Sequence, residues 1–131
     1  MSKSKSAKTA KTFGPYSLVR QAGDLYFLAG HVGVDPATST AQPNVTAQTE
    51  QVLENLRSTL ESVGLGMNDV VKTTIFVTDI GNFAQVNEVY VRYFDEPRPA
   101  RSTVGVAELP RVGGDVPLLV EIEAVAVGHK E

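Results

Sequence analysis

The pattern of apolar and polar residues along the chain predicts five strands and two helices. Short apolar runs bounded by turn residues predict strands at 17–21, 25–30, 70–78, 101–109 and 118–127. Apolar residues at helical spacing predict one helix that begins after Asn44 and ends at Gly64, and a second that begins after Asp79 and ends before Pro97. The polar segment 35–43 is predicted to be a loop.

This order, β-β-α-β-α-β-β, favours an α+β fold in which both helices cover one face of a single mixed sheet. One stripe of the second helix is expected to pack on that sheet: Ile80, Phe83, Val86, Asn87, Tyr90, Val91 and Phe94. The strands are apolar on both sides, whereas two helices can cover only one face. We therefore expect the second face to be buried against another copy of the chain.

The composition is typical of one globular domain, because 131 residues suffice for one core and not for two. Residues 1–12, with four lysines, are predicted to be a flexible basic tail, and residues 13–131 a single domain. The chain has no cysteine, which excludes disulfides and a thiolate nucleophile and favours the reducing cytoplasm. No apolar run approaches the length of a membrane span, so no membrane partner is expected.

The charge distribution argues against a nucleic-acid partner. The net charge is −3, and without the four tail lysines eight cationic side chains face fifteen acidic ones, a charge of −7. The six arginines are scattered along the chain, whereas a phosphate-binding surface needs clustered cations.

A few side chains are candidates for chemistry. Glu121 and Glu123 point to the same face of the last predicted strand, a face that is otherwise apolar. Burial there would raise their pKa values and a cationic partner would lower them, and a shifted pKa suits a proton-transfer role. An exposed strand section that keeps the protein soluble explains the pair equally well. Arg101 follows a proline-stiffened approach and could clamp a carboxylate, although most arginines are simply solvated.

Other reaction classes have weak support in the sequence. His31 lies among glycines and could be a base or a ligand, but no second histidine or cysteine lies near it in the sequence to complete a metal site, and His129 belongs to the last residues. The chain has no phosphate-binding P-loop, no dinucleotide glycine fingerprint and no recognisable serine–histidine–acid spacing. Neither a metal nor a cofactor is predicted.

Several separated motifs, in the same order, resemble the RidA (YjgF) family. They are GPY at 14–16, LAGHVG at 28–33, VKTTIFVTD at 71–79, VN at 86–87, PARS at 99–102 and VEIEAVA at 120–126. The resemblance runs from about residue 13 to residue 127. It implies a chorismate-mutase-like α+β sandwich of the bacillus type, with one mixed sheet of about six strands, assembled as a homotrimer with active sites between subunits.

The resemblance also implies an activity. Better-known members of the family hydrolyse 2-aminoacrylate or 2-iminobutyrate, products of pyridoxal-phosphate dehydratases, to the 2-keto acid and ammonia. The family's carboxylate-binding arginine matches Arg101, and the glutamate that positions the hydrolytic water matches Glu121. Family positions in or near the pocket match Tyr16, Gly30 and Asn87.

This chain departs from the family pattern at three places. Thr103 replaces the common pocket cysteine. The segment that often reads Ser-Gly-Gln in the family reads Ala-Gly-His here and ends at His31. The loop 110–117 is longer than in many relatives. Thr103 and His31 are therefore further candidates for substrate binding, with His31 and the loop expected at the mouth of the cleft. Two alternatives stay open: a non-catalytic, chaperone-like trimer that binds 2-keto acids, and a ribonuclease or translation inhibitor, which the acidic body disfavours.

Overall fold

The computed structural model describes residues 10–128, which form one five-stranded mixed sheet, a short two-stranded ribbon and two α-helices. The elements are β1 (Val19–Ala22), β2 (Leu25–Val32), β3 (Val34–Asp35), β4 (Thr40–Ala41), α1 (Val45–Ser62), β5 (Val70–Val77), α2 (Phe83–Tyr90), β6 (Ala100–Gly105) and β7 (Val120–Val127). The sheet order is β1-β2-β7-β5-β6, with β5 and β6 parallel and the other pairs antiparallel. The predicted α+β class is confirmed.

The long helix begins and ends where the sequence predicts. The Asn44 side chain accepts a hydrogen bond of 2.9 Å from the Ala47 amide and so caps the first turn. At the other end Gly64 has φ +80°, and the Leu65 amide donates to the Leu60 carbonyl at 2.9 Å. This left-handed glycine and back-folded bond form a Schellman cap.

The two faces of the sheet have different environments. On the central strand β7, the residues that face the helices are buried: Val120, Ile122, Ala124 and Ala126. The alternate residues are Glu121, Glu123, Val125 and Val127, which lie on a face that no helix of the described chain covers. Apolar residues of this open face in other strands, Leu25 and Phe27 in β2 and Val104 in the edge strand β6, are exposed.

The structure differs from the predicted pattern in three places. The segment predicted as a loop contains the β3–β4 ribbon. The strand predicted at 101–109 ends at Gly105. Finally, Asp79 caps a 3₁₀ turn, Ile80–Asn82, that precedes α2.

The apolar stripe of the second helical segment is buried only in part. Val86, Tyr90 and Phe94 lie in the core as predicted, whereas Ile80, Phe83 and Val91 are 44–55% exposed. The reason is that β6 is an edge strand, so no further strand lies beneath the outer flank of α2. Most of the predicted basic tail (residues 1–9) and His129 lie outside the described residues.

Candidate active site

Glu121 projects from β7 onto the open face of the sheet. Its neighbours along the strand, Val120 and Ile122, are fully buried beneath the helices, so strand alternation turns the carboxylate to the opposite side. Burial, and secondarily the charge of nearby Glu123, raises the pKa of the Glu121 carboxyl above its usual value. A half-buried carboxylate with a raised pKa suits a group that takes up and returns a proton near neutral pH.

A bulge in β2 makes room for this carboxylate. The register between β2 and β7 shifts between Leu28 and His31, both of which are buried on the helix side. Ala29 and Gly30 between them form the bulge. A Cβ atom at Gly30 would lie 2.0 Å from Oε2 of Glu121 and 2.8 Å from its Cδ, so only glycine accommodates the carboxylate in its present position.

Glu121 and Gly30 open into a cavity of about 300 Å³, which we call the Glu121 cavity. Its other lining residues are Phe13, Tyr16, Ala29, Val32, Pro110 and Val112. The Tyr16 hydroxyl accepts a hydrogen bond of 3.1 Å from the Phe13 amide, and the ring remains 43% exposed. The structure thus brings together three of the predicted site residues, Tyr16, Gly30 and Glu121, with the long 110–117 loop at the rim.

Arg101 and Asn87 line a second cavity, of about 320 Å³, together with Tyr90, Val91, Arg98 and Pro99. We call it the Arg101 cavity. Arg101 lies on the helix side of β6, because its guanidinium carbon is 4.8 Å from the centre of the Tyr90 ring and 5.4 Å from that of Phe83, both on α2. No carboxylate between residues 10 and 128 forms an ion pair with it.

Thr103 lies two residues after Arg101 on β6, so strand alternation places both on the same face. Its hydroxyl oxygen is buried and is the one buried side-chain polar atom in the described part of the chain without a hydrogen-bond partner. Such an atom is uncommon in a folded protein.

The two cavities lie on opposite faces of the sheet. Glu121 pairs with Phe76 of β5, and Arg101 pairs with Thr73 of the same strand. The two residues are therefore separated by roughly 10 Å across the sheet and roughly 10 Å along it, in addition to facing opposite ways. Within one chain the predicted cation and the predicted acid do not meet.

His31 does not lie at the mouth of the cleft, contrary to the expectation. Its ring is 3% exposed and is held between β2 and α1. Nδ1 donates to the Ala29 carbonyl at 2.6 Å, so Nε2 of the neutral ring accepts from the Thr59 hydroxyl at 2.8 Å. Burial lowers the pKa of the imidazole, although the bond to Ala29 opposes the shift. The bulge explains the difference, because it turns residue 31 toward the helices instead of the open face.

Sequence reasoning missed the part that α2 plays around Arg101. Phe83, Asn87 and Tyr90 follow one another at spacings of four and three residues, which aligns them on one helix face. The same spacing also predicts a stripe buried in the core. The polar Asn87 distinguishes a cavity-lining stripe from a core stripe, because a buried face disfavours a polar residue.

In residues 10–128 no three histidine, aspartate or glutamate side chains are grouped in a way that could hold a metal ion. None of the helices described here has both the length and the apolar character needed to cross a lipid bilayer.

The whole chain is similar to proteins of one family. A family model described as Endoribonuclease L-PSP matches residues 6–128. Protein DfrA of Myxococcus xanthus is 49% identical over 125 residues, which cover 93% of this chain and 92% of DfrA. The 2-iminobutanoate/2-iminopropanoate deaminase of Salmonella typhimurium is 44% identical over 117 residues, which cover 87% of this chain and 88% of that protein.

A solved structure shows the same similarity in three dimensions. The crystal structure of E. coli TdcF with bound serine has a TM-score of 0.84 and 36% identity, and the match covers 94% of this chain and 95% of TdcF. Since the family model spans residues 6–128 and relatives that are 42–49% identical cover 87–93% of the chain, this chain belongs to the RidA family, which the Endoribonuclease L-PSP model describes.

Proposed function

We propose that the protein hydrolyses small reactive 2-imino and 2-enamino acids to 2-keto acids and ammonia. The observation that carries the proposal is the Glu121 cavity, in which a half-buried carboxylate with a raised pKa faces open space above a glycine bulge. The name of the Salmonella relative, a 2-iminobutanoate/2-iminopropanoate deaminase, gives the substrate class. Serine bound to TdcF shows that a solved relative accepts a small carboxylated molecule.

The chemistry requires few groups. Glu121 orients a water molecule and accepts one of its protons while the oxygen adds to the imine carbon. Glu121 passes this proton to the imine nitrogen, which gives a carbinolamine. It then takes the hydroxyl proton of the carbinolamine and delivers it to the nitrogen while the carbon–nitrogen bond breaks, so that ammonia leaves and the carbonyl of the 2-keto acid forms. A 2-enamino acid enters the same route as its imine tautomer. Arg101 binds the substrate carboxylate through its planar fork of donors, which fixes the imine carbon relative to the water. Asn87, which lines the Arg101 cavity, hydrogen-bonds to the same molecule in this proposal.

The proposal requires at least two subunits. Because Arg101 and Glu121 lie on opposite faces of one sheet, a substrate that touches both must lie between the Arg101 cavity of one subunit and the Glu121 cavity of its neighbour. A closed ring of three copies, joined through the open face and the flank of β6, provides three such sites. The exposed apolar residues on these surfaces, among them Phe27 and Val104, fit this assembly. The absence of cysteine favours a cytoplasmic location for it.

The first test is a coupled assay. A pyridoxal-phosphate threonine dehydratase generates 2-iminobutyrate, and the rate of 2-oxobutanoate release is followed with and without the protein. We expect acceleration with the native chain and none with Arg101→Ala or Glu121→Gln. Binding of 2-oxobutanoate without any acceleration would favour the non-catalytic binding alternative. RNA incubated with the same preparation checks the nuclease alternative, and we expect neither cleavage nor salt-sensitive binding, because the body of the chain is acidic.

A second test asks whether the site is shared between subunits. Arg101→Ala and Glu121→Gln chains, each inactive alone, are co-expressed with different tags, and the mixed oligomers are purified. If each site takes its arginine from one chain and its glutamate from the next, about one third of the sites in the purified mixed trimers contain both groups, whichever chain is present twice. We expect activity to return to about that fraction. Mixed oligomers without activity would contradict the shared site.

A further inference from the structure

The side chain of Phe83 has no evident place in the core, although it is large and apolar. It is the first residue of α2, is 44% exposed, and is absent from the cluster of buried residues that the two helices share with the sheet. Its ring faces the guanidinium of Arg101 at 5.4 Å. This distance lies within the range of a cation–π contact.

The second ring at the guanidinium is held rigidly. The Tyr90 ring lies 4.8 Å from the Arg101 guanidinium carbon and packs against Phe94, with the ring centres 4.6 Å apart. Its hydroxyl bonds to Thr73 at 2.7 Å, and Thr73 is the register partner of Arg101 on β5. Tyr90 is therefore fixed by the core, whereas Phe83 can be changed with little effect on packing.

Aromatic contacts orient an arginine in a way that an ion pair does not. They occupy the faces of the planar group and leave its N–H donors, which point outward in the plane, unused. A carboxylate partner would take those same donors and compete with the substrate. In the described chain the guanidinium has two aromatic neighbours and no acidic one.

We propose that Phe83 is a positioning residue for Arg101: its ring holds the guanidinium with its donors free, ready for the carboxylate of the substrate. This inference rests on the proposed function, because it assumes that Arg101 binds that carboxylate. Phe83 acts through Arg101 and is not itself catalytic. Its loss should weaken carboxylate binding and leave the chemical step, which depends on Glu121, unchanged.

The test compares three variants with the native protein. Phe83→Leu retains an apolar side chain and removes the aromatic face, whereas Phe83→Tyr restores that face. Ile80→Ala is the control, because Ile80 is also an exposed apolar residue at the start of the same helical segment but has no aromatic ring to offer the arginine. For each we measure the Kd of three 2-keto acids of increasing chain length by calorimetry, KM and kcat in the dehydratase-coupled assay, and the melting temperature.

For Phe83→Leu we expect Kd and KM to rise about two- to fivefold, by the same factor for pyruvate, 2-oxobutanoate and 2-oxohexanoate, with kcat nearly unchanged. Phe83→Tyr and Ile80→Ala should both match the native protein. An unchanged Kd in Phe83→Leu overturns the inference, and so does a factor that grows with chain length, since the ring would then contact the substrate tail. The affinity of Arg101→Ala for keto acids is measured in the same way. Native affinity in this variant would refute the proposed function itself. Weakened affinity in Arg101→Ala together with native affinity in Phe83→Leu would refute only the role of Phe83.

Discussion

Replacing Gly30 with alanine separates the activity of this protein from its stability. The new methyl group would lie 2.0 Å from Oε2, 2.8 Å from Cδ and 3.0 Å from Cγ of Glu121. Normal van der Waals contact is at about 3.5 Å, so the carboxylate has to move by about 1.5 Å. The obstructing atoms belong to the end of a flexible side chain on an open face, and the backbone itself is not blocked. The fold therefore accommodates the change at small cost.

The carboxylate, by contrast, loses the position from which we propose that it orients water. A misplacement of about 1 Å can lower the rate by about 100-fold, which corresponds to about 2.7 kcal/mol in the activation barrier. We expect Gly30→Ala to reduce kcat by about this factor in the dehydratase-coupled assay. The melting temperature and the oligomeric mass should stay close to those of the native protein.

Gly66 offers a matched control. Nothing lies within 4 Å of a Cβ atom at this position, and it does not have a positive φ. Gly66→Ala should leave both kcat and the melting temperature unchanged. If Gly30→Ala retained native kcat, the position of Glu121 beside the bulge would not matter for the reaction, and the proposed role of this carboxylate would be refuted.

Glu123→Gln removes a charge that raises the pKa of Glu121, so the acidic limb of the profile of kcat against pH should move to lower pH. An acidic limb that does not move would show that a group other than Glu121 controls it. Folding lowers the pKa of His31 from 6.5, so the unfolded chain binds the proton more readily and the free energy of unfolding decreases as the pH falls below about 6.5. In denaturant titrations between pH 5 and 7, His31→Gln should lose less of this free energy than the native protein. An equal loss in both proteins would contradict this account. In Gly33→Ala the new methyl group would lie 2.8 Å from Cα and from the carbonyl oxygen of Gln48 on α1. Because these are backbone atoms, we expect the free energy of unfolding to fall by about 1–3 kcal/mol, in contrast to Gly30→Ala. Native stability would mean that α1 shifts freely.

Local signals in the sequence determined most of the secondary structure. Asn44 and Gly64 mark the ends of α1 because capping depends on the conformation and hydrogen bonds of a few adjacent residues. The alternation in β7 placed Glu121 and Glu123 together on one face for the same local reason. The motif resemblance then identified the family, and the similarity to the Salmonella deaminase and to DfrA confirmed it.

Other features depended on contacts between segments distant in the chain, which no local pattern specifies. The register shift in β2 turned His31 into the protein interior, although its glycine-rich neighbourhood predicted a place at the cleft. The edge position of β6 left Phe83 exposed and brought its ring to Arg101, where the sequence predicted a core residue.

Residue types and local periodicity determined by themselves that Glu121 and Glu123 share one face of a strand and that no cysteine is available, and the motif resemblance selected Arg101 and Glu121 as the reacting pair. Only the tertiary structure decided that Arg101 and Glu121 face away from each other within a chain. The physical reason is that the face a strand residue occupies relative to another strand depends on sheet order, register and bulges, and these are set by packing over the whole domain.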